Sequence, residues 1–383
     1  MRRRIIFQIA LSFILCFAIA CSPQRPAPWI GDHFMEQSPP GLVSEVQYAS
    51  GFDLFHWNGI TRLVVYQPGS DRLVAGEFYL AEEEITGKFR DTVAMIPLPL
   101  KDVAVFSSTQ LSAFSKLKAL DMITGVSEAA YIINPAVRER LKNKTITELA
   151  GSGNYFIERT LEVHPSLIFL SPYLADDSRV LAKTGIPLVP FYDFYETDPL
   201  GRAEWIRFTA AFCGREAMAD SIFREIEERY RYFSGLASSA EGRPSVFSDK
   251  YFNGQWYIPG GESYIAQLFH DAGADYLWKD DSHRASFPLD YETVFERAHD
   301  ADYWRIIGSY GDEATYAGLL KENELYGHFK AFRQRQVIYC DAKETAYFEN
   351  SPLEPERVLA DLIKAFHPGL LPEYEPKYYR ILP

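Results

Sequence analysis

Hydrophobic and polar positions change their period several times along this chain. An apolar run at 5–20, broken only by Gln8 and Ser12, follows Arg2, Arg3 and Arg4. From 43 to 85 apolar and polar residues alternate, with Gly51, Gly59 and Pro68-Gly69 as punctuation, which predicts short strands and hairpins. Beyond it, short apolar runs alternate with helix-period stretches, the signature of parallel-sheet α/β structure.

The alternation repeats itself. Asp102-Val103-Ala104-Val105-Phe106-Ser107-Ser108 leads into a helix-like stretch at 109–123, and Pro244-Ser245-Val246-Phe247-Ser248-Asp249 leads into another at 261–271. The segments 157–162 and 291–296 each precede a further apolar strand, at 166–170 and 301–307. Second strands at 186–191 and 336–340 complete each half. Between the halves Asp198-Pro199-Leu200-Gly201 opens a helix over 204–212, and Gly214 interrupts it. From 215 to about 236, Met218, Ile222, Ile226, Tyr230 and Phe233 recur every three or four residues among charges, predicting an amphipathic helix of about 30 Å. The expected fold is α/β: two parallel-sheet lobes joined by a single long helix and preceded by short strands. The expected divisions are a signal peptide at 1–20, a lipidated cysteine and tether at 21–41, a first lobe at 42–197, a helical connector at 198–240 and a second lobe at 241–383.

The N-terminal run is too short to span a bilayer comfortably and reads as a signal peptide. It ends in Ala18-Ile19-Ala20-Cys21, which resembles the lipobox of bacterial lipoproteins, so Cys21 is the expected lipidation site. A proline-rich stretch at 22–40 then reads as an extended tether. The formal charge is −13, and removing the three signal arginines leaves 36 basic against 52 acidic residues, a net −16. That balance argues against nucleic acid as a partner and restricts membrane contact to the anchor. Cys213 and Cys340 are read as two buried thiols, with pairing in an oxidising compartment left open. The eight histidines have no ligand spacing, so no protein-held metal and no cofactor are expected. Gly-x-Ser-x-Gly and Walker or dinucleotide loops are absent, so no catalytic step is assigned.

Anchor, repeated lobes and connecting helix together resemble the periplasmic-binding proteins for iron complexes and vitamin B12, the substrate-binding lipoproteins of ABC importers. Pro259-Gly260-Gly261-Glu262-Ser263, Ala301-Asp302-Tyr303-Trp304 and Ala365-Phe366-His367-Pro368 are similar to the Bacteroidetes-type members, and the resemblance covers about 96–382. It implies a periplasmic, lipid-anchored monomer that holds a ligand between its lobes. It also implies that Glu158 and Glu292, at matching points of the repeat, dock on an ABC permease dimer with its ATPase subunits. Carried over, the ligand residues are Ser107, Ser108, Thr109, Tyr173, Tyr192 and Tyr195 in the first lobe. In the second they are Lys250, Tyr251, Trp256, Tyr257, Arg284, Tyr347 and Phe348, with Lys250 and Arg284 facing an anionic group of the ligand. The implied cargo is a ferric siderophore, with cobalamin or haem as alternatives. A lipid-anchored hydrolase or redox enzyme, and a scavenger with no permease, are the competing readings.

Overall fold

The computed structural model describes residues 42–82, 84–85, 95–171, 178–309 and 314–383. The signal peptide, Cys21, the tether and Tyr173 lie outside the described residues.

The alternating N-terminal segment supplies β1 (Phe52–Trp57), β2 (Ile60–Tyr66) and β3 (Val74–Glu82), which with the later β4 (Met95–Leu98) form a four-stranded sheet in that order. Asn58 and Gly59, both at positive φ (47° and 75°), make the β1–β2 turn, because a two-residue hairpin that follows strand twist needs that conformation. Phe52, Leu54, Leu63 and Val65 are buried, and Phe52 packs on Trp205 and Phe208.

The first lobe is a six-stranded sheet of β5 (Val103–Val105), β6 (Ile123–Ser127), β7 (Thr147–Gly151), β8 (Asn154–Tyr155), β9 (Ile168–Leu170) and β10 (Leu188–Pro190). Its order is β10-β9-β5-β6-β7-β8, parallel except at β8. In the second lobe the strands are β11 (Ser245–Ser248), β12 (Tyr251–Phe252), β13 (Gln255–Pro259), β14 (Asp275–Tyr276), β15 (Ser286–Leu289), β16 (Tyr303–Gly308), β17 (Val337–Asp341) and β18 (Arg380–Ile381). Five of them form a sheet in the order β14-β11-β16-β17-β18, and β12-β13-β15 form a small antiparallel one. The order β10-β9-β5-β6 matches β17-β16-β11-β14 strand for strand, so the repeat read from the sequence is a repeat of topology.

Helix α1 (Ser108–Lys116) follows β5 and is capped by Ser107 Oγ, which accepts from Thr109 N at 3.3 Å. Its counterpart after β11 (Tyr264–Asp271) is capped by Ser263 Oγ, which accepts from Ala266 N at 3.2 Å. The helix expected over 109–123 is shorter: Lys118 at φ +55° ends it, and 123–127 becomes strand β6. Gly125 permits that strand, since a Cβ there would lie 2.3 Å from Leu149 Cδ1.

The connector is two helices, α2 (Pro199–Cys213) and the long α3 (Glu216–Ser238), separated at Gly214 (φ +61°), where the sequence places the interruption. Asp198 caps α2 by accepting from Leu200 N and Gly201 N. This first helix is nearly all buried, with Phe208 and Phe212 against Phe169. The amphipathic stripe of α3 buries Ala219, Phe223, Ile226 and Tyr230, and its 23 residues span about 34 Å. Tyr230 Oη donates to Asp271 Oδ2 at 2.6 Å, tying α3 to the second lobe.

Candidate functional site

In open parallel sheets, ligands meet the loops at the carboxyl ends of the strands, where strand order reverses. In the first lobe that point is the end of β5, flanked by β6 and β9. Thr109 Oγ1 donates there to Asp193 Oδ1 at 3.3 Å, and Arg202 Nε from α2 pairs with Asp193 Oδ2 at 3.3 Å. Burial raises the Asp193 carboxyl above its ordinary range, and Arg202 opposes the rise. The Arg202 guanidinium also lies over the Phe194 ring, 5.8 Å from its centroid, and over Tyr264 of the second lobe at 5.3 Å.

The second lobe builds the same point from β11 and β16. Buried Arg305 donates to Asp249 Oδ1 (3.0 Å), Ser248 Oγ (3.2 Å) and Tyr379 Oη (3.0 Å). Burial likewise raises Asp249, with Arg305 opposing. Tyr347 is buried between the two centres: burial pushes its phenol up, while Arg305 and Arg202 both act to lower it. Arg202 and Arg305 thus stand near the equivalent strand ends of the two lobes, each paired with a buried carboxylate.

The lobes also touch directly. The Glu349 carboxylate, on the short helix Tyr347–Asn350, accepts from the backbone of Ile133 at 2.8 Å and Asn134 at 3.0 Å. Lys116 at the end of α1 pairs with Glu354 at 3.3 Å.

Ser107, Ser108 and Thr109 lie half-buried at the β5–α1 junction, as the sequence indicates. Tyr192 is half-buried and Tyr195 exposed on the loop after β10, with ring centroids 6.1 Å apart. Tyr257 and Phe348 are exposed, and Tyr251 is half-buried with its carbonyl accepting from Tyr326 Oη. Three of the expected ligand residues have partners within the protein. Trp256 is fully buried among Phe247, Trp304 and Phe329, its Nε1 donating to Ser248 O at 2.9 Å, so it is a core residue. Lys250 is held by both carboxylate oxygens of Glu322 at 2.6 and 2.7 Å. Arg284 is exposed, 3.5 Å from Glu262.

Sequence reasoning missed Phe194, Tyr131, Phe252, Tyr264 and Arg202. Phe194 was legible, lying within the Phe-Tyr-Asp-Phe-Tyr run at 191–195. Tyr131 follows β6, a strand that begins where the expected helix at 109–123 ends and that the sequence reading did not include.

Glu158 and Glu292 stand exposed in the first turns of Ile157–Val163 and Tyr291–Ala298, the helices that precede the equivalent strands β9 and β16. Neither makes a hydrogen bond or ion pair among the described residues. At the opposite pole, a recess of 460 Å³ lies at the amino ends of β11, β16 and β17, lined by Arg243, Asp302, Gln336 and His367 among others. Its Asp302 is paired with Lys330 and its His367 with the Gly273 carbonyl. No group of three metal-ligating side chains occurs among the described residues, and no helix there is long and apolar enough to cross a membrane.

The family described as Periplasmic binding protein matches residues 103–344, from β5 to just beyond β17. The chain belongs to that family. Its members are solute-binding proteins, and the two-lobed α/β fold is theirs. This chain is 27% identical over 357 residues to an uncharacterised lipoprotein of Methanocaldococcus jannaschii, covering 90% of this chain and 88% of the relative. A second lipoprotein of that archaeon is 28% identical over 295 residues, 73% of this chain and 68% of the relative. Among solved structures, a periplasmic binding protein from Veillonella parvula aligns with a TM-score of 0.58 at 13% identity, over 78% of this chain and 96% of that one. Staphylococcus aureus IsdE complexed with haem aligns at 0.53 and 16%, over 69% and 98%. At such identities the likeness is one of fold.

Proposed function

We propose that this periplasmic binding protein captures a metal chelate of the ferric-siderophore type between its lobes and delivers it to an ABC permease. The observation that carries the reading is the aromatic rim. Tyr131, Phe194 and Tyr195 are exposed in the connections after β6 and β10; Phe252 and Tyr257 are exposed on β12 and β13, after β11, and Phe348 on the short helix after β17. Exposed rings are costly in water and stack well on a broad, flat ligand. Haem-binding and FepB-type structures share the fold, which supports a chelate as cargo, with cobalamin or haem as the alternatives. In this reading Cys21 tethers the chain outside the cytoplasm, lobes at 42–197 and 241–383 close on the ligand, and the helical connector at 198–240 keeps the closure small.

Unpaired Glu158 and Glu292 at repeat-matched positions suit docking on a two-fold permease, where they steer encounter more than they add affinity. In cells that depend on this importer, Glu158→Lys with Glu292→Lys should cut chelate uptake at least 100-fold while the purified variant binds ligand as before. Unchanged uptake would remove the permease role and favour a scavenger.

A further inference from the structure

We infer that the cleft is built for a chelate with no net negative charge, recognised by stacking and not by cations. This rests on the chelate reading above and selects within it. The charges at the strand ends carry it. In the described loops that follow the parallel strands (128–134, 191–198, 249–250, 277–285 and 342–346), eight residues are Asp or Glu and four are Lys or Arg.

The cations present are committed elsewhere. Lys250 is clamped by Glu322, Lys279 pairs with Asp275 at 2.5 Å, and Arg284 pairs with Glu262. The two arginines near the strand ends are neutralised in place, Arg202 by Asp193 and Arg305 by Asp249. Of the four loop cations, Lys343 alone has no ion pair among the described residues. A polyanionic ligand would therefore find one loop cation without an ion-pair partner among an excess of carboxylates. It would also have to strip a carboxylate from a buried arginine to gain another, and leaving a buried charge unpaired is strongly unfavourable. The net charge of the mature chain slows the approach of an anion as well. What the walls do offer is rings on both sides, which hold flat surfaces regardless of charge.

The test uses the chain from Ser22 onward and follows Trp fluorescence during titration with four probes. Two carry no net charge, cyanocobalamin and a ferric trihydroxamate, and two carry carboxylates or net negative charge, haemin and a ferric tris-catecholate. The expected result is saturable quenching by an uncharged probe below about 1 μM, with both anionic probes at least 100-fold weaker. Tightest binding by the tris-catecholate or haemin would overturn this inference and leave the chelate reading standing. Saturable binding by none of the four would overturn both.

Discussion

Single buried carboxylates set much of this protein's behaviour, and Glu356 is the clearest. It is 5% exposed near the start of the C-terminal helix Pro355–Phe366, one of its oxygens has no partner, and Glu354 lies close by. Burial, reinforced by Glu354, pushes its carboxyl up from 4.5 to about 7. A folded-state value above the unfolded one means that the folded protein binds the proton more tightly. Stability is thus unaffected below about pH 4.5, falls as pH rises through that window, and is lowest above pH 7. Glu356→Gln should therefore stabilise the protein by about 2–3 kcal/mol at pH 8 and change little at pH 4.5, read from urea unfolding at the two pH values. Burial acts on the thiols in the same sense: Cys213 and Cys340 are free, buried and pushed up to about 12, which makes both unreactive.

At the scale of elements, the segment ahead of β1 is held by side chains and not by a sheet. Five consecutive amides, Gln47 to Gly51, donate to two buried carboxylates: Gln47, Tyr48 and Ala49 to Glu204 at 2.8–2.9 Å, Ser50 and Gly51 to Glu196 at 2.8–2.9 Å. Gly201 lets this strap lie flush on α2, since a Cβ there would sit 2.9 Å from the Tyr48 carbonyl. Glu204 also accepts from Arg207 at 2.8 Å, so its loss would orphan three amides and remove one of Arg207's partners, Asp220 remaining. Glu204→Ala should lower stability by roughly 3–5 kcal/mol, visible as a lower urea midpoint. Because Glu196 closes the loop bearing Phe194 and Tyr195, the strap ties the segment ahead of β1 to that loop.

For the whole molecule, the lobes are joined by the packing of Tyr347–Asn350 on α1 and of Ser351–Leu353 on α1 and α2, and by a few polar contacts. Glu349 on the Ile133 and Asn134 amides is a latch across the cleft, reinforced by Lys116 on Glu354. Such contacts bias a two-state equilibrium by their own energy and no more. Glu349→Ala should therefore shift the ligand-free protein toward open, raising the radius of gyration in small-angle scattering and leaving the folded core intact. An unchanged radius would show that α3 and the C-terminal helix, which pack together beneath both lobes, hold the closed form without the latch.

Fold class and repeat were legible from the chain alone because they rest on local periodicity: apolar runs of strand length, amphipathic spacing, and the small polar residues that end Val-Phe-Ser in both halves. Three segments that carry the family resemblance are explained by packing. Gly260 and Gly261 lie where a Cβ would come within 2.4 Å of the His283 and Asp281 carbonyls, Trp304 stacks on Phe247 at 5.5 Å, and His367 binds the Gly273 carbonyl. Tertiary structure alone decided the rest. Trp256 sits in an exposed-looking hairpin and is core because three other rings close over it. Lys250 is a ligand cation by sequence and an ion-pair partner by structure because Glu322, 72 positions away, folds back onto it. Periodicity reports which face of an element is apolar; it carries no information about which distant charge will meet which. The scaffold was therefore readable from the sequence, and the charge of the cleft was not.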